Sequence, residues 1–118
     1  MEPDGLAQER EEHRSAMPIV IGQYTFDGPH TSTEALEDRA GVYAILCETR
    51  SQYHVMDIGE SAQLRTRVEN HDRQHCWTRK CRGALAVAVL YTPNLHQAGR
   101  RAIEQQFRAQ YSPCCGKV

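Results

Sequence analysis

Long apolar runs are missing from this sequence of 118 residues. A helix needs about 20 consecutive apolar residues to span a bilayer. The most apolar stretch, residues 84–91, is far shorter than that. We therefore expect no membrane-spanning helix and no membrane partner.

A surplus of charge of one sign is also missing. The chain has 14 Lys and Arg against 15 Asp and Glu, which gives a formal net charge of −1. No basic field covers the whole protein, so any binding of a polyanion has to come from a local patch.

Cysteine pairs of the C-x-x-C type are missing as well, and the cysteine count, five, is odd. Residues 1–14 are polar and acidic, unlike a secretory signal. These features predict a cytoplasmic protein in a reducing compartment, without a disulfide framework. A zinc site is an alternative, because thiolate and imidazole suit zinc. Its ligands would come from His71, His75, Cys76, Cys81, Cys114 and Cys115.

The length predicts one domain. Residues 1–18 are interpreted as a polar tail or a short helix over 6–16, stopped by Met17-Pro18. Residues 19–118 form the single domain. No internal repeat or low-complexity segment is present.

The apolar pattern predicts a small α/β fold. Strands are expected at 19–26, 41–47, 53–58 and 84–91, with Asp27-Gly28-Pro29 ending the first and residues 48–52 joining the middle two as a hairpin. Ser61 and Asn94 are predicted helix N-caps, and residues 72–83 form a loop or short irregular helix. The expected architecture is a mainly antiparallel sheet of three core strands plus an N-terminal strand, flanked by helices.

Four side chains from three segments have the chemistry that phosphodiester cleavage requires. A single Mg or Mn ion stabilises the transition state and keeps several waters, so one carboxylate, Glu104, is enough to anchor it. Arg67 suits a phosphate, and His71, four residues later on the same predicted helix face, can move a proton or contact that phosphate. Tyr43 can accept a proton from water only where a cation stabilises phenolate. The alternatives are ordinary surface pairs for the helix residues and sheet packing for Tyr43.

The order and spacing of these residues resemble the GIY-YIG nuclease family. Gly41-Val42-Tyr43 fits the first motif, and Asp57-Ile58-Gly59 fits two positions of the second. The family arginine lies ten positions after the start of the second motif, which is Arg67, and its histidine and glutamate fall on His71 and Glu104. The resemblance covers residues 40–116 and implies a metal-dependent endonuclease of DNA repair or processing.

Two positions depart from the family pattern. Asp57 replaces a tyrosine that the family uses around the nucleophilic water, and Gly116 replaces a supporting asparagine. Asp57 could be a second metal ligand, accept the proton in place of the phenol, or form an ion pair with Arg67.

Basic residues around Trp77 are candidates for tracking a nucleic-acid strand while the indole stacks on a base. The candidate contact residues are Arg73, Trp77, Arg79, Lys80, Arg100 and Arg101. The alternative is a solvated loop in which Trp77 covers the core.

The expected partner is nucleic acid, with DNA favoured and RNA left open, and a partner protein or a homodimer would choose the target. Two other functions stay open: a binding module that has kept the fold and lost the chemistry, and a zinc-stabilised interaction domain.

Overall fold

A five-stranded antiparallel sheet forms the centre of the computed structural model, which describes residues 18–116. Its strands are β1 (Ile19–Ile21), β2 (Tyr24–His30), β3 (Gly41–Thr49), β4 (Gln52–Ser61) and β5 (Ala84–Tyr91). Their spatial order is β1-β2-β5-β3-β4. The helix predicted over 6–16 lies outside the described residues.

The β3–β4 hairpin carries both glycine-ended motifs. Arg50 and Ser51 both have positive φ, 54° and 66°, as the two-residue turns that match strand twist require. The register pairs Tyr43 with Gly59 and Ile45 with Asp57, and it then shifts so that Leu46 pairs with Val55. Met56 is the extra residue of this bulge. Tyr43 and Asp57 consequently lie on the same face of the sheet.

Three helices cover the two faces: α1 (Leu64–Glu69), α2 (Gln74–Lys80) and α3 (Gln97–Tyr111). Tyr43 and Ile45 pack in one core cluster with residues of α1 and α2. Val42 and Ala44, on the opposite face of β3, pack in a second cluster with residues of α3 and β2. The alternation of β3 therefore places a layer of helix on each side, and the predicted α/β class with a mainly antiparallel sheet is confirmed.

Several predicted boundaries are wrong. The strand expected at 19–26 is split by a turn at Gly22, whose φ is +63°, and β2 continues through the cis Gly28-Pro29 bond to His30. Ser61 is the last residue of β4 and does not cap α1, although its hydroxyl accepts from the Gln63 amide at 2.9 Å. His96 caps α3 in place of Asn94.

Two disulfides contradict the expectation of free cysteines. Cys47 is bonded to Cys81, and Cys76 to Cys115, while Cys114 is free. The first bond joins β3 to the end of α2, and the second joins α2 to the segment after α3. An odd cysteine count allowed two pairs and one remainder. Because disulfides are typical of oxidising compartments, the argument from cysteine to a reducing compartment was wrong.

Within residues 18–116, none of the helices combines the length and the apolar composition that crossing a membrane requires.

Candidate functional site

Tyr43 lies across the glycine of the second motif. A Cβ at Gly59 would be 2.1 Å from the phenolic oxygen of Tyr43, so any side chain there would collide with the ring. Tyr43 and Gly59 are cross-strand partners on β3 and β4. Only glycine at position 59 leaves room for the Tyr43 ring to lie over the neighbouring strand. The ring is 1% exposed.

A short hydrogen bond joins Tyr43 to His71. The distance from Tyr43 Oη to His71 Nε2 is 2.5 Å, and the Arg73 backbone N–H donates to His71 Nδ1 at 3.0 Å. A neutral imidazole that accepts at Nδ1 carries its proton on Nε2, so His71 donates to the phenol oxygen. The proton of Tyr43 itself remains available to a further acceptor.

His71 stays uncharged in this environment. Burial lowers the pKa of His71 to about 4, and the nearby Arg67 and Arg73 guanidinium groups add to the effect. The carboxylate of Asp72 lies 3.3 Å from Nδ1, but it is 77% exposed, so solvent weakens its opposing pull. His71 follows the end of α1 at Glu69, and the prediction that it shares a helix face with Arg67 was wrong.

Arg67 and Glu104 act on the same phenol from two other elements. The pKa of Tyr43 is raised above its usual value, mainly by burial and then by the negative charge of Asp57, with Glu104 adding to the rise. Arg73 and Arg67 oppose that shift. One electrostatic environment therefore includes Tyr43 of β3 and charged residues of α1, of the segment after α1 and of α3. Tyr43 is neutral in this environment.

Arg67 is open to a ligand. Its side chain is 40% exposed, and its contact with Asp72 is long, at 3.4 Å between Arg67 Nη2 and Asp72 Oδ1. An exposed pair of this length holds the guanidinium only weakly. The fork of Arg67 can therefore turn to a phosphate.

Glu104, the predicted metal anchor, is partly exposed and bonded to an arginine. Its side chain is 23% exposed, and its Oε2 accepts from Arg108 Nε at 3.2 Å. In the described part of the chain, Oε1 accepts no hydrogen bond. Residues 18–116 contain no group of three or more His, Cys, Asp or Glu suited to a metal. A cation held here would complete its shell with water and phosphate oxygens, as Mg commonly does.

Asp57 has none of the roles expected for it. It is fully buried, and its two oxygens accept five hydrogen bonds. The donors are Arg73 Nε at 2.8 Å, Arg73 Nη2 at 3.1 Å, Trp77 Nε1 at 2.8 Å, Arg108 Nη2 at 2.7 Å and the Ile58 amide at 2.9 Å. Five donors leave no lone pair for a metal or for a proton from water. Its ion pairs are with Arg73 and Arg108, and the expected pair with Arg67 is not formed.

Gly116, the second departure from the family pattern, touches the same ion cluster. Its φ is +79°, and a Cβ there would lie 2.8 Å from Arg108 Nη2 and 3.0 Å from Arg73 Cζ. A larger residue would displace the two guanidinium groups that neutralise Asp57. The two departures are thus parts of one buried arrangement.

The residues predicted to bind nucleic acid separate into two groups. Trp77 is buried at 5% exposure and donates to Asp57, so the prediction that it stacks on a base was wrong. Arg73 is tied to Asp57, and buried Arg100 donates to Glu60 Oε1 at 2.8 Å. The exposed cations that remain are Arg79, Lys80 and Arg101.

Three of the four cysteines considered as zinc ligands form disulfides. Cys76 and Cys81 belong to different bonds, and Cys115 is the partner of Cys76. A disulfide sulfur is not the thiolate that zinc requires. The predicted zinc cluster is therefore wrong.

Arg108 is the site residue that the sequence reasoning did not assign. It lies four residues after Glu104, the spacing at which an arginine and a glutamate pair on the surface of a helix. It is 3% exposed and donates to Asp57 Oδ1, to the Ile58 carbonyl and to the Cys115 carbonyl. The helical spacing from Glu104 was the only available signal.

Comparison with known proteins gives no relative: no family model, no curated protein and no solved structure matches this chain.

Proposed function

We propose that this chain is a divergent GIY-YIG domain that hydrolyses nucleic-acid phosphodiester bonds with a Mg or Mn ion, DNA being the expected substrate. One observation carries the proposal: the Tyr43 hydroxyl, hydrogen-bonded to His71, lies within the electrostatic reach of both Arg67 and Glu104. A phenol, an imidazole, a guanidinium and a carboxylate that share one electrostatic environment have the chemistry that phosphoryl transfer requires.

Each side chain has a distinct role in this proposal. Arg67 binds the scissile phosphate, because its guanidinium is exposed and weakly paired. Because Tyr43 is 1% exposed, substrate binding has to open the site before the phenol donates its free proton to a phosphate oxygen or to the attacking water. The phenol acts as a base only where added positive charge lowers its raised pKa. His71 orients the phenol through Nε2–H.

Glu104 would hold the divalent ion through Oε1. A bound Mg or Mn supplies Lewis acidity to the phosphate and positive charge next to the phenol. Arg108, bonded to Oε2, keeps the carboxylate facing the site.

Supercoiled plasmid nicking with Mg or Mn tests the proposal. We expect nicked circles with the natural chain, and losses of at least about 100-fold for Glu104→Gln and Arg67→Ala, because each removes charge stabilisation of the transition state. Arg65→Ala is the matched control for Arg67, since Arg65 lies on the same helix and pairs with Glu69 at 3.0 Å. Nicking that persists in Glu104→Gln would contradict the proposal.

The second candidate is a binding module without catalysis. The raised pKa of Tyr43 and the engagement of Glu104 by Arg108 favour it, since both restrain the chemistry. In that case a gel shift with DNA would weaken in Arg67→Ala and no nicking would occur. In either case target choice would need a partner protein or a second copy. The cytoplasmic location remains a prediction that no longer draws support from the cysteines.

A further inference from the structure

Asp57 is a fully buried carboxylate to which the proposed chemistry assigns no reacting atom. Burial of an unpaired carboxylate is costly, and the five donors around Asp57 offset that cost. The donors belong to different elements, so Asp57 connects them to β4.

Two donors come from one face of α2. Arg73 precedes the helix as its N-cap residue, and Trp77 lies four residues later, so their side chains point the same way. Arg73 gives Asp57 two hydrogen bonds and Trp77 gives it one. This helix has seven residues and no side-chain cap bond. A helix this short is marginal on its own. The disulfides of Cys76 and Cys81 tether it to neighbouring segments, and the contacts with Asp57 set the positions of the Arg73 and Trp77 side chains.

The same two residues of α2 hold His71. The Arg73 backbone N–H donates to His71 Nδ1 at 3.0 Å, and the Trp77 ring centroid lies 4.8 Å from that of His71. The first contact selects the tautomer and the second sets the ring plane. Nε2–H then meets the Tyr43 oxygen.

We propose that Asp57 is a positioning residue for the His71–Tyr43 pair: it anchors Arg73 and Trp77 of α2, and these hold His71 in the orientation and tautomer that donate to the phenol. Asp57 does not touch His71 or the substrate. Its importance for catalysis rests on the proposed function, whereas its control of His71 geometry does not.

Imidazole ¹⁵N NMR of His71 tests this directly, without any assay of cleavage. In the natural chain we expect one Nε2–H tautomer with a narrow Nδ1 signal. In Asp57→Asn we expect exchange-broadened signals with a measurable Nδ1–H fraction. Two further variants decide the matter if Asp57→Asn fails to fold. Arg73→Lys and Arg108→Lys each keep the charge beside Asp57 and remove the guanidinium fork.

The account requires a difference between those two variants. Arg73→Lys should shift and broaden the His71 signals and lower kcat of plasmid nicking by about 10- to 100-fold at unchanged KM. Arg108→Lys should leave the His71 signals as they are, because Arg108 belongs to α3. Unchanged His71 signals in Arg73→Lys, or equal disturbance in both variants, would overturn the proposal. Absence of nicking in the natural chain would refute the nuclease function and leave the NMR result to be judged separately.

Discussion

At the scale of single residues, the site depends on Gly59 having no side chain. Gly59 allows the Tyr43 ring to cross the neighbouring strand and meet His71. The tyrosine of one motif and the glycine of the other are therefore needed together, as one cross-strand pair.

Gly59→Ala should destabilise the protein by about 1–3 kcal/mol, because the new methyl group overpacks against the Tyr43 ring. Gly99→Ala is the control: it lies in α3 and meets only the flexible Leu95 side chain at 3.3 Å and beyond. Gly99→Ala should raise the free energy of unfolding by no more than about 1 kcal/mol. Urea unfolding measures both, and equal midpoints for the two variants would contradict the close contact.

His71 should remain neutral well below its usual range. With a folded pKa of about 4 and an unfolded value of 6.5, the unfolded chain takes up a proton in that interval and the folded protein does not. The free energy of unfolding should therefore fall as pH drops from 6.5 to 4, by roughly 3 kcal/mol from this group. In the His71→Gln variant, the free energy of unfolding should fall less steeply over the same pH interval. An NMR titration showing His71 charging near 6.5 would refute the burial argument.

At the scale of elements, the strands were the more predictable part. The β3–β4 hairpin and β5 follow from short apolar runs bounded by turn residues, and β5 spans the predicted residues 84–91. Helix starts were missed because Ser61 and Asn94 have capping chemistry and the tertiary structure uses other residues. Buried cation–carboxylate bonds and disulfide pairing join distant segments, and neither leaves a local pattern in the chain.

The two disulfides should contribute strongly to stability. Each closes a loop of more than 30 residues, with separations of 34 and 39, for which the chain-entropy estimate is about 4 kcal/mol. Urea unfolding with and without a reductant should show a large drop in midpoint. Cys114→Ser should behave like the natural chain, since Cys114 is free. Peptide mapping that finds Cys114 in a bond would contradict the pairing.

At the scale of the whole molecule, positive and negative side chains largely neutralise each other in local ion pairs. Seven of the ten arginines within residues 18–116 pair with carboxylates, the pairs of Arg67 and Arg101 being the longest, and the net charge of the chain is −1. Among residues 18–116, Arg67, Arg101 and the exposed end of α2 are cations that a polyanion could meet. The two departures from the GIY-YIG pattern, Asp57 and Gly116, are accommodated together in one buried cluster beside this surface.

DNA binding should accordingly have a modest salt dependence. If Arg67, Arg79 and Lys80 each meet a phosphate, the slope of log K against log salt concentration is about −3. Arg79→Ala should reduce that slope by about one, and Arg50→Ala, in the β3–β4 turn, should leave it unchanged. Fluorescence anisotropy over a range of salt concentrations measures both slopes. An equal reduction of the slope in Arg79→Ala and Arg50→Ala would place the binding surface elsewhere.

The most direct measurement is an anomalous diffraction map from crystals grown with Mn and a short DNA duplex. The account predicts one Mn peak within coordination distance of Glu104 Oε1, with a phosphate between it and Arg67 and the Tyr43 hydroxyl facing that phosphate; crystals of Glu104→Gln should lose the peak. A Mn ion bound elsewhere, or DNA lying away from Tyr43, would contradict it.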